Sequence, residues 1–184
     1  MNTAVIYRSK YGTTKQYAEW IAEDLKAQLF ESRTIKAAQL ADFDMVIYGG
    51  GLYAGGISGV SLVVRNPCRK LVIFTVGLAL PGNTDYSEII EKNLSAEMRR
   101  NTEVFHFHGG IDYENLGIVH KRMMAVMMAV IKRKAAKKKE TEISDEDKEF
   151  MATYGKKVNF TNRQNIIPLV EYCRAQSDNG ETVQ

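Results

Sequence analysis

Hydrophobic positions fall along this chain in two rhythms that replace one another. Thr3, Ala4, Val5, Ile6 and Tyr7 form a short, almost continuously apolar run, the pattern of a strand covered on both faces. Tyr17, Ile21, Leu25 and Leu29 then recur every fourth residue, with Ala18 and Ala22 beside them, as on a helix packed against a sheet. Arg33 to Ala37 predicts a short second strand, and Met45 to Tyr48 a third. Helix signals resume at Ser58 and stop near Asn66 and Pro67. Leu71 to Val76 is the clearest strand, a polar helix is expected over Tyr86 to Met98, and Val104 to Phe107 makes a fifth strand. Ser144, followed by Asp145, Glu146 and Asp147, predicts a capped last helix reaching about Val158. Beyond it Ile166, Ile167, Leu169 and Val170 offer packing positions, and the chain turns polar from about Gln176. Strands alternating with helices at this spacing predict a doubly wound α/β sandwich, with helices on both faces of a parallel sheet. Such sheets take ligands at the carboxyl ends of their strands.

Length and charge narrow the possibilities. At 184 residues the chain is expected to form a single domain, 1–184, large enough for a substantial core. The N-terminus runs directly into a strand, so no leader is expected, and no apolar run reaches the ~20 residues that span a bilayer. Cys68 and Cys173 stand far apart and read as reduced thiols of a cytoplasmic protein. The net charge of +3 is uneven, because Lys132, Arg133, Lys134, Lys137, Lys138 and Lys139 form one block and the remainder is net acidic. That distribution argues against nucleic acid as a partner.

Candidate chemistry gathers at three strand ends. The first is Ser9, Lys10, Tyr11, Gly12, Thr13 and Thr14, between a strand and a helix. Backbone N–H groups at a helix start have no partner within the helix and attract an anion, Gly12 permits close approach, and the hydroxyls add donors. An ordinary turn with Thr13 or Thr14 as helix cap is the alternative. The second strand end is glycine-rich, running from Gly49 through Gly50, Gly51, Leu52, Tyr53, Ala54 and Gly55 to Gly56. Its backbone must take unusual dihedrals or lie against something. The third holds Thr75, Val76, Gly77, Leu78 and Ala79, with Pro81 and Gly82 after it. His106 and His108 alternate on one strand face, too few ligands for a closed zinc site, so no metal is expected. A phosphoacceptor receiver needs acids where Arg8, Ser9, Tyr48 and Gly49 stand, and the P-loop signature of a nucleotide switch is absent.

The Ser9 to Thr14 stretch resembles the phosphate loop of flavodoxins, with Tyr11 in the place of a threonine. The glycine loop with Tyr53 resembles their second flavin loop, and Thr75 to Ala79 their third. The resemblance covers roughly residues 1–160 and implies a five-stranded parallel sheet in the order 2-1-3-4-5 with non-covalent FMN at the switch between strands 1 and 3; the strand order and cofactor position are those given for flavodoxin itself in the general rule. It further implies that Ser9, Gly12, Thr13 and Thr14 hold the phosphate and that Tyr53 lies on or beside the flavin ring. Ala54, Gly55 and Gly56 would let a peptide reorient toward the reduced flavin, and residues 75–79 would present backbone donors to the pyrimidine edge. A partly exposed loop aromatic is the other reading of Tyr53. Flavodoxins are typically acidic, with an acid and a stacking tyrosine in the third loop; neither occurs at Gly77 to Pro81 here. With no acid near the flavin, a less negative reduction potential is expected.

An added helical segment after strand 5, residues 111–139, makes the chain similar to the flavodoxin-like menaquinone-dependent protoporphyrinogen dehydrogenases. Met123 to Ile131 is nine consecutive apolar residues, four of them Met, and the basic block follows at once. As a helix this run is too short to cross a bilayer, and methionine suits adaptable apolar surfaces. It is expected to lie on a membrane surface through 123–139, peripheral at the inner face, or to cap a pocket for an apolar substrate or quinone; a homodimer contact is the third possibility. Two functions follow from the resemblance: an electron carrier for a redox partner protein, and an FMN-dependent dehydrogenase passing electrons to a quinone in heme biosynthesis. No catalytic acid–base pair is identifiable from the sequence.

Overall fold

A row of residues paired across the molecule explains why its centre is a parallel sheet. The computed structural model describes residues 1–53, 55–66, 68–79, 84–136 and 143–181. Within it β1 (Thr3–Arg8), β2 (Gln28–Glu31), β3 (Met45–Tyr53), β5 (Leu71–Gly77) and β6 (Thr102–His108) pair in the order β2-β1-β3-β5-β6. A two-residue strand, β4 (Gly56–Ile57), folds back antiparallel on the end of β3. Counted without that hairpin the parallel strands run 2-1-3-4-5, the expected flavodoxin-like order. Val5 pairs with Ile47 and Ile47 with Val72, and all three point into the layer holding α1 (Thr13–Leu25) and α7 (Ile167–Glu181). Their neighbours Ala4, Val46 and Ile73 point the other way, toward Leu40, Val63 and Leu94. Burying each of these larger aliphatic side chains contributes about 1.5–3 kcal/mol. The second layer is built from short pieces: a 3-10 turn over Ala37–Asp42, α2 (Ser61–Val64), α3 (Ser87–Asn93) and α4 (Ala96–Asn101).

Several elements depart from the sequence pattern for identifiable reasons. Lys26 takes a left-handed conformation (φ 51) and ends α1 at Leu25, so β2 starts at Gln28 and not near Arg33. Leu29 therefore belongs to an edge strand and is partly exposed. The expected helix over Tyr86 to Met98 is two helices, because Leu94 is extended and Ser95 caps a new one, accepting from the Met98 N–H at 3.2 Å. Gly49, Gly50 and Gly51 are not loop but the continuation of β3. They lie against something: a Cβ on Gly49 would stand 2.0 Å from the Phe74 ring, and one on Gly50 2.6 Å from Ile57.

Between β6 and α7 the chain leaves the sheet. β7 (Gly110–Asp112) and β8 (Lys157–Asn159) pair antiparallel, Gly110 opposite Asn159 and Asp112 opposite Lys157. The Lys157 ammonium lies 2.9 Å from the Asp112 carboxylate and, with Asn115, lowers its pKa to about 2. Inside this clip α5 (Ile118–Ala135) and α6 (Asp145–Thr153) pack around Met124, Met128, Ile131 and Phe150. Ser144 caps α6 as expected, accepting from the Asp147 N–H at 3.2 Å. That helix stops at Thr153, and Gly155 (φ 79) turns the chain into β8. The excursion thus runs from Gly110 to Asn159, and the last helix of the sandwich is α7, which continues past Gln176. Tyr17 of α1 ties together the two segments that flank the excursion: its hydroxyl donates to the His108 carbonyl at 2.7 Å and accepts from the Asn162 N–H at 3.2 Å.

Candidate functional site

The carboxyl ends of β1, β3 and β5 open on one side into a cavity of about 400 Å³. At one end stands the start of α1. Gly12 (φ 92) turns the chain into the helix, and no side chain caps its first turn, so the leading N–H groups face outward without a partner from within the helix. Nothing lies within 4 Å of where a Gly12 side chain would be. Ser9 braces the turn, its hydroxyl oxygen accepting from the Gly12 N–H at 3.0 Å. Thr13 and Thr14 line the cavity beside it, Thr14 almost fully buried. An uncapped helix start with hydroxyls beside it suits a phosphate.

The rest of the cavity is mainly apolar. Gly51, Leu52 and Tyr53 form one wall, and Val76, Gly77, Leu78 and Ala79 another. A Cβ on Gly51 would come within 2.9 Å of the Tyr53 ring, and one on Gly77 within 3.3 Å of Leu52, so both glycines keep the walls close. Burial, with Tyr11 nearby, pushes the Tyr53 phenol up to about 12, so it stays protonated at neutral pH. The third loop is held from behind. Tyr86 donates to the Ala79 carbonyl at 3.3 Å, and its ring stacks on His106 at 3.6 Å and 9°. His106 Nδ1 lies 2.5 Å from the hydroxyl of fully buried Thr75, and burial lowers its pKa to about 4.

Of the residues expected at the site, Tyr11, Thr13, Thr14, Gly51, Leu52, Tyr53, Val76, Gly77, Leu78 and Ala79 line this one cavity. Ser9, Lys10 and Gly12 belong to the same loop but are not among the lining residues. Thr75 faces His106 from within the sheet and is not a lining residue. Gly55 (φ 73) sits at the hairpin, its carbonyl accepting from Asn93 Nδ2 at 2.9 Å. Ala54 lies outside the described residues. Among the described residues no three His, Cys, Asp or Glu gather as a metal site would require.

The methionine run was expected from the sequence to cap a pocket as one of its possibilities, but none of the excursion's residues was named for the site, and His120 was missed altogether. Leu116, His120, Met123, Met124 and Met127 close the cavity from the side of α5. His120 is bonded to Tyr11 and Lys10 and stacked on Tyr53. A lone histidine on a methionine-rich helix has no spacing that marks it; only its partners do. A second cavity of about 330 Å³ lies between α5 and α6, lined by Val130, Phe150 and Phe160, and shares Leu78, Ala79 and Met127 with the first.

A family model for the flavodoxin domain matches residues 4–141. No curated protein matches the chain. Among solved structures it is similar to a flavodoxin from the domain Archaea, at 17% identity and TM-score 0.44, covering 59% of this chain and 83% of that one. Oxidised flavodoxin 2 from Bacillus cereus is 18% identical with TM-score 0.43, over 59% and 84% of the two chains. A flavoprotein in complex with FMN from Lactobacillus acidophilus is 14% identical with TM-score 0.39, over 58% and 91%.

Proposed function

The chain belongs to the flavodoxin domain family, and we propose that it is a redox protein working through non-covalent FMN. The observation that carries this reading is the single cavity at three strand ends, with an uncapped helix start at one end and apolar walls along its length. FMN, when bound, supplies the electron transfer. Ser9, Gly12, Thr13 and Thr14 would hold its phosphate, Tyr53 and Leu78 would line its ring, and the backbone of residues 76–79 would meet its polar edge. No lining residue among those described is an Asp or Glu. Charge developing on the reduced cofactor therefore meets no carboxylate, which favours a reduction potential less negative than that of an acidic flavodoxin. Equilibrium binding tests the assignment. FMN should bind more tightly than riboflavin by at least about tenfold, because a hydrogen bond to a charged phosphate is worth ~1.5–3 kcal/mol. Equal affinity for the two removes residues 9–14 from the phosphate.

A second reading is an FMN-dependent dehydrogenase of the protoporphyrinogen-oxidising kind with a quinone acceptor. The adjoining cavity under Met127 favours it, since a carrier needs only an exposed cofactor edge. Anaerobic oxidation of protoporphyrinogen with a quinone, set against reduction by a flavodoxin reductase, separates the two. The excursion also bears on where the reaction happens. α5 contains no acid, and Ile118, Val119, Val126 and Val130 on it are 73%, 78%, 65% and 46% exposed, with Arg122, Lys132, Arg133 and Lys134 among them. An outward face that is apolar and basic suits the surface of an anionic membrane. Among the described residues no helix is long and apolar enough to cross one. Co-sedimentation with anionic vesicles should weaken with salt; a dimer that ignores vesicles and buries Val126 and Val130 argues for self-association through this helix instead.

A further inference from the structure

Three segments that are far apart in the chain meet on one imidazole. His120, in the first turn of α5, places Nδ1 2.7 Å from the Tyr11 hydroxyl and 3.1 Å from Lys10 Nζ. Its ring stacks on Tyr53 with centroids 5.1 Å apart and planes 26° apart. Tyr11 meets the His120 ring edge-on at 5.9 Å and the Tyr53 ring edge-on at 6.3 Å. The loop before α1, the end of β3 and the excursion are therefore joined at the mouth of the cavity. The chemistry of the joint fixes its protonation. A lysine ammonium can only donate, so Nδ1 is the acceptor and the ring hydrogen sits on Nε2. A proton on Nδ1 would end the bond from Lys10 and set a second cation beside it, leaving Tyr11 to accept from Nδ1–H with its hydroxyl turned round. Burial and Lys10 both lower the His120 pKa, in the direction of the neutral ring. The titratable groups facing it are Lys10 and Tyr11 from the first loop and Tyr53 from β3. On its own helix Lys121 and Arg122 follow, and Lys121 is engaged with the Glu114 carbonyl at 3.1 Å.

We propose that His120 is a positioning residue: as a neutral imidazole it locks the excursion onto Lys10, Tyr11 and Tyr53 and so presets the wall of the cavity for FMN. This rests on the reading of the cavity as the FMN site. Acid releases the lock, and with it the preset wall, so FMN affinity falls more steeply on acidification than titration of the FMN phosphate alone requires. Asparagine places a carbonyl oxygen near the position of Nδ1 and does not titrate, so His120→Asn keeps the acceptor and loses the switch.

The test uses the full chain stripped of cofactor, with FMN dissociation constants measured at pH 7.5 and 5.5 for the wild type, His120→Asn and His120→Ala. The wild-type Kd should rise on acidification several-fold more than that of His120→Asn, because only the wild type loses binding-competent protein to protonation of the ring. At pH 7.5 His120→Ala should bind FMN more weakly than His120→Asn, which keeps an acceptor near the position of Nδ1. Proton NMR of the cofactor-free protein gives a readout that needs no FMN. The imidazole resonance missing from His120→Asn should titrate below the ordinary histidine range and move up in Lys10→Met. Parallel pH profiles in wild type and His120→Asn, or a resonance indifferent to Lys10→Met, overturn the proposal. A wild type that titrates as expected yet binds no FMN at any pH overturns the cofactor reading instead. His120→Asn retains the acceptor, so the test stands even where His120→Ala does not fold.

Discussion

Val5, Ile47 and Val72, paired in one row across three strands, expose no surface at all, whereas Met124, Met128 and Ile131 on the inner face of α5 keep 5%, 6% and 8% exposed. The first group is pressed between two helical layers. The second has the protein on one side and an exposed apolar face on the other. In the sheet, side chains and even missing side chains are fixed by contact: Gly49 exists where it does because Phe74 fills the space above it. In the excursion, unbranched methionines fill an interior that tolerates rearrangement. The candidate cavity lies where the two meet, with strand ends forming its floor and a methionine-rich helix its cover.

Four experiments break or sharpen this contrast. The largest effect is expected for Gly49→Ala, whose methyl would stand 2.0 Å from the Phe74 ring. Displacing a buried aromatic should lower unfolding stability by about 3 kcal/mol in a urea titration. An unchanged midpoint would mean that the sheet interior is as forgiving as the excursion. Next, Met128→Ala should cost about 2–3 kcal/mol, felt mainly as local opening. Amides of α5 should then exchange faster while those of α1 and α7 keep their protection; faster exchange everywhere would make the two bodies one cooperative unit.

A smaller effect concerns acid. The folded pKa of His106, about 4, lies below the ordinary 6.5, so the unfolded chain takes up the proton first. The associated stability is present in full above pH 6.5 and is lost as pH falls from there toward 4. After allowance for partial solvent screening the loss is about 1–2 kcal/mol. His106→Gln should flatten that part of the stability–pH curve, and a slope that survives the substitution would assign it to other groups. The smallest effect is Gly155→Ala in the excursion. Its φ of 79 disfavours a side chain, but nothing lies within 4 Å, so the cost should be about 1 kcal/mol. A loss as large as that of Gly49→Ala would erase the distinction drawn between the two interiors.

The sheet was legible because its strands are long enough for periodicity to speak. Val5, Ile47 and Ile73 sit where the apolar runs predict, and the loops at three strand ends converge on one cavity. What escaped did so where the signal is local or absent. Lys26 stops α1 in a left-handed conformation that a glycine would have announced and a lysine does not. β7 and β8 are three residues each, too short for an alternating pattern, so the return of the excursion at Asn159 could not be seen. Ser144 predicts the last helix of the chain, yet Leu169, Val170 and Cys173 of a later helix, α7, pack with α1 on the sheet. His120 enters the site through partners more than a hundred positions away, and no single stretch of sequence carries that information.

Gly110 and Asn159 lie side by side in the small sheet, so the chain leaves the sandwich and returns to it through one doorway. A segment whose ends are already held together adds little to the entropy of ordering what lies outside it, since closure grows only with the logarithm of length, about 0.6 kcal/mol per doubling. Residues 113–156 can therefore lengthen, shorten or be exchanged for an unrelated sequence without shifting the register of any strand in the large sheet. The excursion is placed as a cassette would be: the cover of the cavity can be refitted to a new visitor while the floor of strand ends stays as it is.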